Sequence, residues 1–80
     1  MDKKEIIKEI VKELVDSPDE VSVEEIMGES AVVLNIKVVK SDLGKIIGRK
    51  GRIISSLRTL FGSIFAKNGQ KAIIEVNDWY

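Results

Sequence analysis

Residues 41–58 read SDLGKIIGRKGRIISSLR, and the centre of this stretch decides how the rest of the chain is arranged. Gly48 and Gly51 enclose two cations, Arg49 and Lys50. Because glycine has no Cβ atom, the backbone can turn sharply at both glycines and come close to a ligand there. A helix that begins directly after the loop would add the positive end of its dipole to these charges. The sequence therefore predicts a loop that holds phosphate groups.

The pattern of apolar residues predicts a helix on each side of this loop. Before the loop, Ser41 is the expected N-cap of a short helix, and Asp42 suits the dipole of its first turn. The core side of this helix is expected to carry Leu43, Ile46 and Ile47. After the loop, a longer helix is predicted over residues 52–67. Its wide apolar stripe consists of Ile53, Ile54, Leu57, Leu60, Phe61, Ile64 and Phe65.

Farther out, the periodicity predicts one more helix and three strands. Apolar residues at helical spacing predict an amphipathic helix over residues 2–16. Alternating patterns predict strands over residues 21–27, 31–39 and 71–77, the second being the clearest. A three-residue turn joins the first two strands, which predicts an antiparallel hairpin, whereas the helical crossover makes the second and third strands parallel.

The predicted fold class follows from this order of elements. It is α+β, with the order α-β-β-α-α-β and three helices on one face of a three-stranded sheet. Eighty residues make one small domain, so residues 1–80 are interpreted as a single unit.

Composition excludes several classes of function. The chain has no Cys and no His, so a disulfide framework, the common zinc and iron sites, and a Ser-His or Cys-His nucleophile are all excluded. No enclosed acid–base pair is recognisable, so we expect no enzyme, no catalytic residues, no metal and no cofactor. No apolar run approaches the roughly 18 residues of a membrane span, and the first residues, MDKKE, do not resemble a secretion signal. A soluble, cytoplasmic protein with no membrane partner is expected.

The net charge is zero, but the charges are segregated along the chain. Residues 1–30 hold four lysines against ten acids, a net charge of −6. Residues 37–58 hold seven cations against one acid, a net charge of +6. This distribution favours a dipolar surface with one anion-binding edge, the alternative being charges scattered by chance on a solvated surface.

The loop does not match the common phosphate-binding motifs. The glycine spacing fits neither the Walker loop, G-x-x-x-x-G-K-[ST], nor the dinucleotide motif G-x-G-x-x-G. What remains is a helix, a Gly-X-X-Gly loop and a second helix between two strands. With residues 47–54, IGRKGRII, at its centre, this arrangement resembles the KH domain, whose loop clamps the backbone of about four single-stranded nucleotides.

The resemblance extends from about residue 3 to residue 76. A helix and a strand that precede the strand beginning at Ala31 are typical of the type II, bacterial arrangement of this domain. The segments EIVKELVDSPDEVSVEEI and SDLGKIIGRKGRIISSLRT are similar to the KhpA group of small stand-alone bacterial KH proteins. That resemblance implies a cytoplasmic protein with a role in single-stranded RNA binding or as an RNA chaperone. It also implies a homodimer, or a heterodimer with a larger KH-containing protein.

The RNA-binding residues expected from the motif and its flanks lie in the loop and on the two adjoining helices. They are Gly44, Lys45, Gly48, Arg49, Lys50, Gly51, Arg52, Ser55 and Arg58. Arg49, Lys50 and the backbone N–H groups near Gly51 and Arg52 are expected to hold consecutive phosphates. The smooth ridge at Gly44 and Gly48 has an alternative explanation, which is close packing of one helix on another.

Two other functions are compatible with the sequence. A helix-turn-helix DNA-binding protein would place residues 52–67 in the major groove, although their apolar stripe is needed for a core. A protein-interaction or dimerisation module would use the sheet or the glycine ridge as its contact surface. Gly62 and the terminal Trp79-Tyr80 pair do not fit the pattern of the KhpA group, so no function is assigned to them. Tight packing is the one explanation for Gly62, and the aromatic pair is expected to pack against the chain's own sheet, the alternatives being stacking on bases or a dimer contact.

Overall fold

The computed structural model describes residues 2–79. Met1 and Tyr80 lie outside the described residues, so only Trp79 of the terminal aromatic pair is described. The chain forms three helices and three strands in the predicted order α-β-β-α-α-β. They are α1 (Lys3–Leu14), β1 (Ser22–Met27), β2 (Ala31–Val38), α2 (Leu43–Ile47), α3 (Arg52–Ala66) and β3 (Lys71–Asp78). Each predicted boundary is correct to within two residues.

The three strands form one mixed sheet in the order β1-β2-β3. β1 and β2 are antiparallel, with Val23 opposite Ile36, and β2 and β3 are parallel, with Leu34 beside Ile74. Both predicted pairings are therefore confirmed. The helices cover one face of the sheet, which gives the α+β class expected of a type II KH fold.

The alternation in β2 sets the position of the core. Its buried residues are Val32, Leu34, Ile36 and Val38, all at 0% exposure. Burying a side chain of this size stabilises a fold by about 1.5–3 kcal/mol. On the helix side, Ile7 and Val11 of α1 and Phe61 of α3 are also fully buried. The pairing register of β2 with its two neighbours is thus fixed, because a shift by one residue would move all four core residues of β2 to the opposite face.

α1 has clear signals at both ends. The Asp2 carboxylate accepts a hydrogen bond from the Glu5 backbone N–H at 2.8 Å, so Asp2 caps the helix. The helix ends at Leu14, before Pro18, whose ring disfavours helical geometry in the residue that precedes it. Among residues 2–79, no helix has the length and apolar character needed to cross a membrane.

Trp79 packs against the chain's own sheet. Its indole Nε1 donates a hydrogen bond to the Glu20 carbonyl oxygen at 2.7 Å. The Lys37 ammonium lies 5.6 Å from the centre of the ring, a cation–π distance. The end of β3 is thereby tied to β2 and to the segment that precedes β1.

Candidate nucleic-acid interface

α2, the short helix before the loop, is held from below by two buried side chains. Ile46 and Asp42 are 0% and 1% exposed. The Asp42 carboxylate accepts hydrogen bonds from the backbone N–H groups of Asp16 and Ser17, at 3.2 and 3.1 Å. These contacts join the end of α1 to the start of α2, so the loop leaves a fixed platform.

Two expectations for α2 are wrong. Ser41 does not cap it: residues Lys40–Asp42 form a 3₁₀ turn, and the residue at the N-cap position is Asp42, whose side chain binds the backbone N–H groups of Asp16 and Ser17 after α1. Ile47 was expected in the core, but it is 42% exposed. The reason is that α2 has only five residues and places a single one, Ile46, under the sheet-side surface. Ile47, the next residue, is about 100° further around the helix and therefore lies on the open side.

The turn at the start of the loop requires glycine at position 48. Gly48 has φ 78° and ψ 170°, a conformation that is essentially restricted to glycine. A Cβ atom there would lie 2.6 Å from Cγ1 of Ile53 and 2.9 Å from its backbone nitrogen. The start of α3 therefore packs directly against the Gly48 backbone. Close helix packing, the alternative explanation of the glycine ridge, is thus correct for Gly48.

The rest of the loop is a tight left-handed turn. Lys50 has φ 57°, and it is the one non-glycine residue with positive φ among residues 2–79; Gly51 follows at φ 72°. The Gly51 N–H donates to the Gly48 carbonyl oxygen at 3.1 Å, and the Arg52 N–H donates to the Arg49 carbonyl oxygen. The two N–H groups expected to bind phosphate are thus used inside the turn.

The side chains of the loop supply charged groups that can bind an anion. Arg49, Lys50 and Arg52 are all exposed. Within residues 2–79 none of the three has a carboxylate within ion-pair distance. Three cations without acidic partners, on four consecutive positions around a rigid turn, form a strongly positive corner of the surface.

Lys45 stands in a different electrostatic setting. Its ammonium is 3.2 Å from the Asp16 carboxylate and 4.0 Å from that of Asp42. The side chain remains 42% exposed, so the pair with Asp16 is weak and screened by solvent. A phosphate would compete with Asp16 for this lysine.

The remaining predicted residues lie on the open side of the two helices. A Cβ atom at Gly44 would have no atom within 4 Å, so nothing packs against this end of the ridge. Ser55 is exposed in the first turn of α3. Arg58, one turn further along, donates from Nη2 to the Ile74 carbonyl oxygen of β3 at 3.2 Å. Gly44, Ser55 and Arg58 are thus all exposed, with Arg58 directed at the sheet edge.

Comparison with known proteins agrees with this geometry. Residues 4–76 match the family model described as KhpA/KhpB, KH domain. The chain belongs to this family.

Relatives in the family are similar over nearly their whole length. The chain is 47% identical to the RNA-binding protein KhpA of Borreliella burgdorferi over 74 residues, which are 92% of this chain and 90% of the relative. It is 40% identical to the RNA-binding protein KhpA of Clostridium acetobutylicum over 73 residues, 91% of this chain and 97% of the relative. The protein of the same name in Chlamydia trachomatis is 41% identical over 73 residues.

The outer surface of α3 carries a feature that the sequence did not indicate. A shallow groove of about 460 Å³ is lined by Ser55, Ser56, Thr59, Leu60 and Ser63. Leu60 was expected in the apolar stripe of the helix, but it is 50% exposed. The exposure of Leu60 could have been predicted from its neighbours on the helix, because small hydroxyl residues share one helix face with it.

Gly62 also differs from its expected setting. The sequence suggested tight packing as the reason for a glycine inside α3, but a Cβ atom at this position would have no atom within 4 Å. Helix packing therefore does not require glycine here. Asp42, the most buried polar residue among residues 2–79, was another residue whose role was missed, because its hydrogen-bond partners lie 25 and 26 positions away.

Proposed function

We propose that this chain binds single-stranded RNA by clamping the sugar–phosphate backbone at the Gly48–Gly51 loop. The observation that carries the proposal is the loop itself, a rigid turn that exposes Arg49, Lys50 and Arg52 without acidic partners. Membership of a KH family whose relatives are named RNA-binding proteins supports RNA as the ligand. Gly44 would let the nucleotide chain lie close to α2, and Lys45, Ser55 and Arg58 would contact phosphate, sugar or base.

The expected affinity is modest. If about three phosphates are neutralised, the logarithm of the affinity should fall with the logarithm of salt concentration at a slope near −2. Ten acids in the first thirty residues add repulsion. Two copies acting together would raise the apparent affinity without any new kind of contact.

A double charge reversal tests the clamp. Arg49→Asp combined with Lys50→Asp should abolish binding of a short single-stranded RNA, measured by fluorescence anisotropy at low salt. The matched control is Lys67→Asp combined with Lys71→Asp, which makes the same change in net charge at the far end of α3 and should retain most of the affinity. Equal affinities of two folded double variants would exclude the clamp.

A dimer is the second part of the proposal. The half-exposed Leu60, set in a groove of small hydroxyl residues, favours α3 as the contact surface. The partner is a second copy of the chain or a larger protein that carries its own KH domain. Leu60→Glu should give a monomer by light scattering, whereas Ile26→Glu on the uncovered sheet face should leave the mass unchanged. Loss of the dimer with Ile26→Glu alone would move the interface to the sheet.

The wider role is that of a binding protein and not of an enzyme. We propose that residues 1–80 act as one domain in the cytoplasm and serve as an RNA chaperone. A helix-turn-helix mode is disfavoured, because the side of α3 bearing Ile54, Leu57 and Phe61 is buried in the core. Tighter binding of duplex DNA than of single-stranded RNA would reverse this preference.

A further inference from the structure

The free edge of β3 lies beside α3, and its peptide groups are open to that side. β3 is an edge strand of the sheet. The Lys71 N–H donates to the Ser30 carbonyl oxygen at 2.8 Å, so the peptide groups of Lys71 face β2. Successive residues of a strand direct their peptide groups to opposite edges, and those of Ala72, Ile74 and Val76 therefore point outward.

Arg58 connects this edge to the helix that follows the loop. Its Nη2 donates to the Ile74 carbonyl oxygen at 3.2 Å in a partly buried position. The guanidinium is planar and has five N–H donors in a fixed fork, so one bond to Ile74 leaves donors on the other nitrogens for a ligand. Arg58 itself remains exposed. Anchoring at Ile74 gives the guanidinium a defined orientation before any ligand arrives.

One flank of α3 forms an open path from the loop to this guanidinium. Ser55, Arg58 and Gly62 are spaced at i, i+3 and i+7 and so share one helix face. Gly62 leaves open space beside Arg58, since a Cβ atom there would have no atom within 4 Å. Glycine inside a helix is destabilising relative to alanine, and access for a ligand gives this cost a function. Arg58 lies seven residues after Gly51, roughly 10 Å along the helix axis.

We propose that Arg58 is a specificity-determining residue that selects guanine or cytosine in the bound strand. The proposal rests on the RNA-binding function argued above and assigns a base preference to it. A guanidinium only donates hydrogen bonds, and in a fork it needs two adjacent acceptors. Guanine offers O6 with N7, and cytosine offers O2 with N3, whereas adenine and uracil place a donor next to each acceptor on the corresponding edges. Bases of single-stranded RNA expose these edges.

The experiment compares base preference and overall affinity in matched variants. The probes are a short oligouridylate and three derivatives with guanine, cytosine or adenine at one central position, titrated into the full chain by fluorescence anisotropy. The wild-type chain should bind the guanine or the cytosine probe about 5- to 150-fold more tightly than the adenine and uracil probes, the range of a good bidentate contact. The tighter of the two identifies the base.

Variants separate base reading from phosphate binding. Arg58→Lys keeps the charge but loses the fork, so the four affinities should become nearly equal. Arg52→Gln should weaken all four probes by a similar factor and retain the preference. Gly62→Leu fills the open space beside Arg58, keeps the arginine itself and raises helix propensity, so it should also remove the preference in a chain that folds.

The outcomes are distinct. A preference for adenine or uracil, no preference in the wild-type chain, or a preference that survives Arg58→Lys would overturn the proposal while leaving RNA binding intact. Failure of the wild-type chain to bind any of the four probes would instead remove the proposed function and this inference with it.

Discussion

The two sides of α2 have opposite characters although the helix has only five residues. On the underside, Ile46 is fully buried and Asp42, just before the helix, is 1% exposed with two backbone N–H groups as partners. On the open side, Gly44 has no neighbouring atom at its Cβ position and Ile47 is 42% exposed. The underside fixes the path of the chain into the loop, and the open side is left clear for a ligand.

Stability and the proposed binding are therefore assigned to different residues of one short segment. Gly48, where the two sides meet, belongs to the first group, because its conformation and its contact with Ile53 exclude any side chain. Gly44, one turn earlier, belongs to the second group. Glycine at both positions has the same appearance in the sequence, but the physical reasons differ.

The largest expected effect distinguishes the two adjacent isoleucines. Ile46→Ala should lower the free energy of unfolding by about 2–5 kcal/mol, the cost of a cavity in the core. Ile47→Ala should cost less than about 1 kcal/mol, since much of the side chain is already in water. Urea denaturation of both variants checks the difference. Similar losses for the two variants would contradict the assignment of sides.

Next in size is the contrast between the two glycines. Gly48→Ala should lower the free energy of unfolding by about 3 kcal/mol, because the backbone conformation is strained for alanine and Ile53 must move. Gly44→Ala should change it in the opposite direction, by up to about 1 kcal/mol, since alanine favours a helix. Thermal and urea unfolding measure both. A Gly48→Ala variant as stable as the wild-type chain would remove the argument for a rigid loop.

A bulky residue at Gly44 should affect binding without affecting the fold. Gly44→Leu leaves the core untouched but fills the space in which the nucleotide chain is proposed to lie. Affinity for single-stranded RNA should fall by about tenfold or more, the equivalent of ~1.4 kcal/mol. Anisotropy titration measures this, with Gly44→Ala as the control of smaller volume. Unchanged affinity of the leucine variant would place the strand away from α2.

The smallest expected effect concerns the acidic partner of Lys45. Asp16→Asn removes the carboxylate 3.2 Å from the lysine ammonium and makes Lys45 available to phosphate. RNA affinity at low salt should rise by about 1.5- to 5-fold, the range for an exposed ion pair. Asp19→Asn, an equal change of charge in the 3₁₀ turn Pro18–Glu20, is the control. An equal rise in both variants would indicate a general charge effect and not release of Lys45.

Much of the fold could be predicted because it depends on periodicity and chain connection. The strict alternation in β2 identified its buried face, and the length of the helical crossover identified β3 as its parallel neighbour. These signals depend on local sequence or on chain topology. They do not depend on the exact packing of the side chains.

The errors occurred where a contact depends on residues distant in sequence. Asp42 has the composition of a helix cap, but its hydrogen-bond partners are Asp16 and Ser17 at the end of α1. Ile47 follows the apolar pattern of its helix, but a helix of five residues has too narrow a buried side to include it. Lys45 is a cation of the predicted site whose acidic partner, Asp16, lies in the segment after α1.

The position of the proposed binding loop was easier to predict than its hydrogen bonds. Glycine spacing and adjacent cations indicate the loop in the sequence alone. The use of the Gly51 and Arg52 N–H groups inside the turn depends on the backbone angles of Lys50 and Gly51, which sequence patterns do not specify. The proposed clamp therefore depends on side-chain charges more than the sequence suggested.

The most direct test of the central claim is a titration of the ¹⁵N-labelled chain with short single-stranded RNA, followed by backbone amide chemical shifts. The proposed clamp predicts that the largest shift changes occur at residues 48–52, with smaller changes at Gly44 and Lys45. Changes concentrated on the uncovered sheet face, at Ile26 and Ile73, with the loop signals unmoved, would contradict it.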